Sequence, residues 1–113
     1  MTIRKLEKSE WRSFFDGLSR LRSGNLGEIE VVSPRLGDQV EAEWVPVQGL
    51  SYDPKDDVLA MDLENLEHLI WKPLEIYVDM EGLRLSSMAV VDAEGAKQIL
   101  KLREPVALPA PRH

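Results

Sequence analysis

The hydrophobic positions change period once along this chain. After Ser9, Trp11, Phe14, Phe15, Leu18 and Leu21 recur at helical spacing and fall on one face. Arg12, Asp16 and Arg20 follow at four-residue steps on the opposite face, where the carboxylate can pair with either guanidinium. Ser9 is the expected N-cap, and Gly24 suits the left-handed residue that ends a helix. The spacing predicts an amphipathic helix over about residues 9–23, with an aromatic face that must be buried against the rest of the chain.

From Gly27 the period is two. Glu28 to Val31 alternates, Pro34 to Asp38 reads as a turn, and Val40-Glu41-Ala42-Glu43-Trp44 alternates with Val40, Ala42 and Trp44 expected inward. Pro46 and Gly49 interrupt that run, which predicts one long bent strand or two short ones over 39–52. Asp53-Pro54-Lys55-Asp56-Asp57 is a turn, so Leu50 to Leu63 reads as a hairpin. Residues 65–73 are ambiguous between one helical turn and a strand. Pro73 biases Lys72 away from helix and favours the extended form. Leu74 to Met80 alternates, Glu81-Gly82 turns the chain, and Leu85–Val91 and Ala96–Arg103 form a hairpin around Asp92-Ala93-Glu94-Gly95. Residues 104–113, with three prolines, read as an extended tail whose Val106 and Leu108 could cap a sheet edge.

These elements predict one α+β domain over 1–113, mostly β. The N-terminal helix packs on a curled antiparallel sheet of about six strands, the β region spanning about 27–103. An SH3-like or Sm-like small barrel is the leading architecture, and an open sheet with the helix across one face is the alternative.

Charge sharpens the picture. The net charge of −6 conceals a basic start, an acidic middle and a basic end. Residues 1–24 carry six basic and three acidic side chains, residues 25–96 four and sixteen, and residues 97–113 four and one. An acidic surface repels phosphate backbones, so no nucleic acid is expected as a partner. No apolar run approaches the length of a membrane span, residues 1–8 lack a signal-peptide core, and cysteine is absent. A cytoplasmic protein with no membrane association, no disulfides and no thiolate metal site is expected.

Candidate chemistry is sparse, and no catalytic, cofactor or metal set is predicted. His68 is the one internal histidine, with only the common surface residues Glu64 and Glu67 as acidic sequence neighbours. Asp53, Asp56 and Asp57 lack the glycine and distant glutamate of a calcium loop and are explained by turn chemistry. Glu41 and Glu43 share a strand face, as solvated strands commonly arrange. Trp44 is expected in the core. Trp71, after Leu69-Ile70, is the best candidate for an exposed aromatic in a contact surface, together with Leu69 and Tyr77. A pocket using His68, Asp53 and Asp57 near Tyr77 is the alternative site.

Several segments together resemble a known family. Ser9-Glu10-Trp11-Arg12-Ser13-Phe14-Phe15-Asp16, Val40 to Trp44, Gly49-Leu50-Ser51-Tyr52-Asp53-Pro54-Lys55-Asp56-Asp57, Glu67-His68-Leu69-Ile70, and Ile76-Tyr77-Val78-Asp79 before Val90-Val91-Asp92-Ala93-Glu94-Gly95 occur in this order. They resemble the short bacterial proteins of domain-of-unknown-function family 5335, over nearly the whole chain. That resemblance implies a stand-alone bacterial protein and carries over no activity, substrate or cofactor. The residues themselves leave open an interaction module binding a protein partner or forming a homo-oligomer, a small-molecule binder or enzyme with a pocket near His68 and Tyr77, and an acidic decoy for a basic protein.

Overall fold

The computed structural model describes residues 2–18, 25–82 and 84–107. Strand β1 (Thr2–Lys5) leads through a single 3₁₀ turn (Lys8–Glu10) into helix α1 (Trp11–Leu18). Seven strands follow: β2 (Leu26–Ser33), β3 (Gly37–Asp53), β4 (Val58–Leu63), β5 (Leu66–Trp71), β6 (Glu75–Glu81), β7 (Arg84–Val91) and β8 (Lys97–Ala107). They form one eight-stranded sheet in the order β1-β6-β7-β8-β2-β3-β4-β5, every neighbouring pair antiparallel.

Among the described residues the sheet has eight strands where the periodicity predicted about six, and it is open: β1 and β5 end the order without pairing to each other. The barrel expectation is therefore corrected to a curled open sheet. The extra strands have simple origins. Thr2–Lys5 is too short and too polar to show an alternation, yet its backbone pairs with β6 from Thr2↔Met80 to Lys5↔Tyr77. The ambiguous segment is extended, as β5, because β4 offers it a continuous ladder. At the other end, β8 runs on to Ala107 through residues expected in the tail, and Val106 pairs with Leu85. Leu108 lies outside the described residues.

The helix expectation holds in its buried face. Trp11, Phe15 and Leu18 are buried, Phe14 is partly so, and Arg12 meets Asp16 at 3.9 Å on the exposed side. Leu21, Arg20 and Gly24 lie outside the described residues. Ser9 is not the N-cap; it sits inside the 3₁₀ turn, and that turn starts without a side-chain cap. The Trp11 ring stands edge-on to Tyr52 of β3, with centroids 5.2 Å apart at 89°. This is the favourable arrangement for two aromatic quadrupoles. Its indole N–H donates to the Leu6 carbonyl at 3.4 Å, so the buried polar atom is satisfied.

Strand β3 turns the corner that lets one sheet make both walls of the core. Its first part pairs with β2 and its last part with β4, and extra residues are accommodated near Glu41, Trp44 and Gln48. Each bulge bends the strand and resets which face its side chains meet. This corrects the expected inward trio: Ala42 is buried opposite Ile29, but Val40, beyond the bulge, is 55% exposed opposite Glu30. Trp44 takes φ 50 in the bulge and is half-buried, with the Arg103 guanidinium 4.8 Å from its ring centre. Around the corner, Ile29, Leu50, Leu59, Ile70, Ile76 and Leu100 converge from six strands, each almost wholly buried.

The tightest point of the corner is Gly27. A Cβ there would meet Val47 Cγ2 at 2.6 Å and Leu100 Cδ1 at 3.1 Å. Val47 is β-branched and buried, so it has little freedom to yield. Gly27→Ala is expected to destabilise by about 1–3 kcal/mol through overpacking. Gly49→Ala, where a Cβ meets nothing within 4 Å, should change stability by less than about 1 kcal/mol. Urea-denaturation midpoints of the two variants check the contrast, and equal midpoints would refute it.

Candidate functional site

Strand β5 is built by a two-residue hairpin. Glu64-Asn65 joins Leu63 to its partner Leu66, with Asn65 at φ 67, a left-handed value that asparagine tolerates. The pairing with β4 then runs to Val58↔Trp71 without a shift. Alternation sends Ile70 into the core and leaves His68 half-buried on the same side. Glu67, Leu69 and Trp71 face outward, with Leu69 39% and Trp71 59% exposed. Pro73 keeps Lys72 out of the right-handed helix, but Lys72 is left-handed at φ 53 rather than extended, and its N–H donates to the Asp57 carbonyl at 2.8 Å. Leu74, 61% exposed, is held by its N–H on the Val91 carbonyl at 2.8 Å.

Between this edge and the β7–β8 turn lies a cleft of about 310 Å³, lined by Leu69, Trp71, Lys72, Asp92, Glu94 and Gln98 among others. Asp92 organises the turn. Its Oδ1 accepts the Glu94 and Ala96 N–H groups at 2.9 and 3.0 Å, and Gly95 supplies the positive φ of 84. Its Oδ2 accepts from Gln98 Nε2 at 2.8 Å. The buried Gln98 amide is thereby oriented with its oxygen toward His68, and that oxygen contacts His68 Nε2. A carboxylate only accepts and Gln98 Oε1 only accepts, so His68 Nε2 must carry the proton. The result is a directed chain, His68 to Gln98 to Asp92, tying β5 to the β7–β8 hairpin.

The predicted pocket residues do not assemble around His68. Asp53 Oδ1 accepts the Lys55 N–H at 2.9 Å, and Asp57 Oδ1 accepts the Tyr52 hydroxyl at 2.6 Å. Neither lines the cleft beside β5. Burial, then the hydrogen bond to the Asp57 carboxylate, pushes the Tyr52 phenol up to about 12. Tyr77 lies apart from Trp71, on the outward face of β6. Its hydroxyl donates to Glu75 Oε2 at 3.1 Å, the same oxygen that Lys5 Nζ reaches at 3.0 Å. The Lys5 ammonium holds the Glu75 carboxyl below its usual range. Tyr77 also lines a second cleft, of about 220 Å³, with Ile3, Ser87, Ala89 and Ile99.

Among the described residues no group of three or more histidines and carboxylates is arranged to hold a metal ion. No helix among them is long and apolar enough to cross a membrane. The site residues missed in the sequence were Gln98, Asp92, Glu94, Lys72 and Leu74. Gln98 shares the inward parity of Leu100 and Leu102, the one signal that could have marked it as a buried amide in need of partners.

Comparison with known proteins agrees with this picture and adds no activity. A family model described as a family of unknown function, DUF5335, matches residues 2–111. An uncharacterised protein of Aquifex aeolicus (strain VF5) is 42% identical over 110 residues, covering 96% of this chain and 99% of its own. No solved structure matches. The chain belongs to the DUF5335 family.

Two predictions follow from the polar contacts. Gln98→Leu strips partners from Asp92 and His68 inside a partly buried site. It should cost about 1–3 kcal/mol by urea denaturation; an unchanged midpoint would dismiss the chain as a stabilising link. Tyr52 gives a pH signature. Its phenol is raised from 10.0 to about 12 in the fold, so the folded state favours the neutral form. That contribution is complete below about pH 10 and is lost as pH rises through about 12. In a Tyr77→Phe variant, tyrosinate absorbance from Tyr52 should appear near pH 12, and Asp57→Asn should lower its midpoint. Ionisation near 10 in the folded protein would contradict the geometry.

Proposed function

We propose that this chain is a small non-catalytic interaction module whose contact surface is centred on β5. One observation carries the reading: Leu69, Trp71 and Leu74 all present apolar surface to water beside the unpaired edge of the sheet. Burying such groups against a partner is worth about 25 cal/mol per Å² of apolar area, and tryptophan is the residue most enriched at interface centres. His68 is engaged as a donor to Gln98, which fits a brace better than a poised base. The module is read as one domain working in the cytoplasm, supported by its acidity and lack of cysteine. A second reading, a small-molecule site, draws on the directed chain from His68 to Asp92 beside the cleft. Melting-temperature shifts across a metabolite panel test that reading.

The contact surface is tested by a Leu69→Ser, Trp71→Ser, Leu74→Ser variant. Its melting temperature should stay close to that of the parent, because exposed substitutions away from the core typically cost little. Proteins retained reproducibly by the parent as bait from a bacterial lysate should be lost with the variant. Identical retention by both baits would sink the reading.

A further inference from the structure

The two edges of the sheet that no described residue pairs with are not equivalent. Strand β1 has four residues and carries Arg4 and Lys5, which are engaged with Glu10 at 2.7 Å and Glu75 at 3.0 Å. A short, charged edge is the usual protection against strand addition. Strand β5 has six residues, with no lysine, arginine, proline or bulge within it. It is an open row of backbone donors and acceptors flanked by exposed Leu69 and Trp71. Resting on the reading of β5 as a contact surface, we infer that β5 takes up an extended segment of another protein as a ninth strand, with basic side chains alternating with apolar ones.

The charges select this occupant. Glu67 lies on the edge strand, Asp92 and Glu94 wall the cleft, and Lys72 is the single cation among these four residues. Residues 25–96 add a wider negative field, with sixteen acidic against four basic side chains. Period-two alternation lets an added strand lay apolar groups on Leu69 and Trp71 while directing lysines or arginines at Asp92 and Glu94. A cation over the exposed Trp71 ring is favoured as well. A second copy of this chain fits poorly. Full antiparallel overlap of two β5 strands would oppose outward Glu67 to inward Ile70, so the register must slip by one. Either slip sets Glu67 of the second copy opposite Leu69 or Trp71, a carboxylate against the apolar surface, and β5 has no lysine or arginine to offer Asp92 and Glu94.

The test uses short blocked peptides on the full chain: alternating valine–lysine, alternating valine–glutamate, and valine–lysine N-methylated along one edge. The valine–lysine peptide should bind at least about tenfold more tightly than either of the others by calorimetry. It should protect from hydrogen exchange the β5 amides that β4 leaves unpaired. Glu67→Lys with Glu94→Lys should reverse the preference between lysine and glutamate peptides. Equal binding of the N-methylated peptide overturns strand addition and leaves Trp71 as a contact. Preference for glutamate overturns the charge argument. If no peptide binds while the triple serine variant still loses its partners, this inference fails and the interaction module stands. Dimerisation in light scattering that protects the same β5 amides without any peptide would replace the basic segment with a second copy.

Discussion

The close passage of β2 against β3 at Gly27 and Val47 is the constraint on which the rest of the molecule depends. A flat sheet of eight strands would expose one apolar face. Bulged three times along its length, β3 turns the sheet back on itself, so that β4 and β5 roof the inner face of β6, β7, β8 and β2. Only a residue without a Cβ lets the strands approach this closely at the turn. Trp44 at φ 50 is part of the same device: a bulky residue held left-handed, at a conformational cost of about 1–3 kcal/mol, because the surrounding strands demand the bend.

Helix α1 packs against β3 and completes the core of the curled sheet. Trp11, Phe15 and Leu18 are placed there by α1, which draws most of its stability from burying this amphipathic face. The helix therefore exists because its aromatic face is buried, and the edge-on contact of Trp11 with Tyr52 connects it to the strand that makes the corner. Acidic side chains line the outer surface, while the cations of β1 are neutralised by Glu10 and Glu75.

The same curl brings β5 over the β7–β8 turn and so creates the candidate site. Asp92 shapes the turn, Gln98 is held by Asp92, and His68 donates to Gln98. This chain of donors fixes the distance between an unpaired strand edge and an acidic wall. In the role proposed for β5, a groove braced in this way would lose little entropy on taking up an extended partner, which is the physical advantage of preorganisation. The match to the DUF5335 family and to the Aquifex aeolicus protein adds no activity to this picture.

Local spacing was enough to determine several of the elements. The helical stripe from Trp11 to Leu18, the hairpins around Asp53–Asp57 and Asp92–Gly95, and the alternation of β6 are all set by residues a few positions apart, through burial parity and turn chemistry. Trp71 was also legible as an exposed aromatic, because it follows Leu69 at strand spacing next to Pro73. The number of strands, the open edge, the outward turn of Val40 and the meeting of His68 with Gln98 and Asp92 were decided only in the tertiary structure. Short polar β1 pairs through its backbone, which carries no side-chain signature. Bulges in β3 shift parity by one residue, which a period-two pattern cannot record. Residues 68 and 98 are joined by the curl of the sheet, a relation between distant strands that no spacing along the chain encodes.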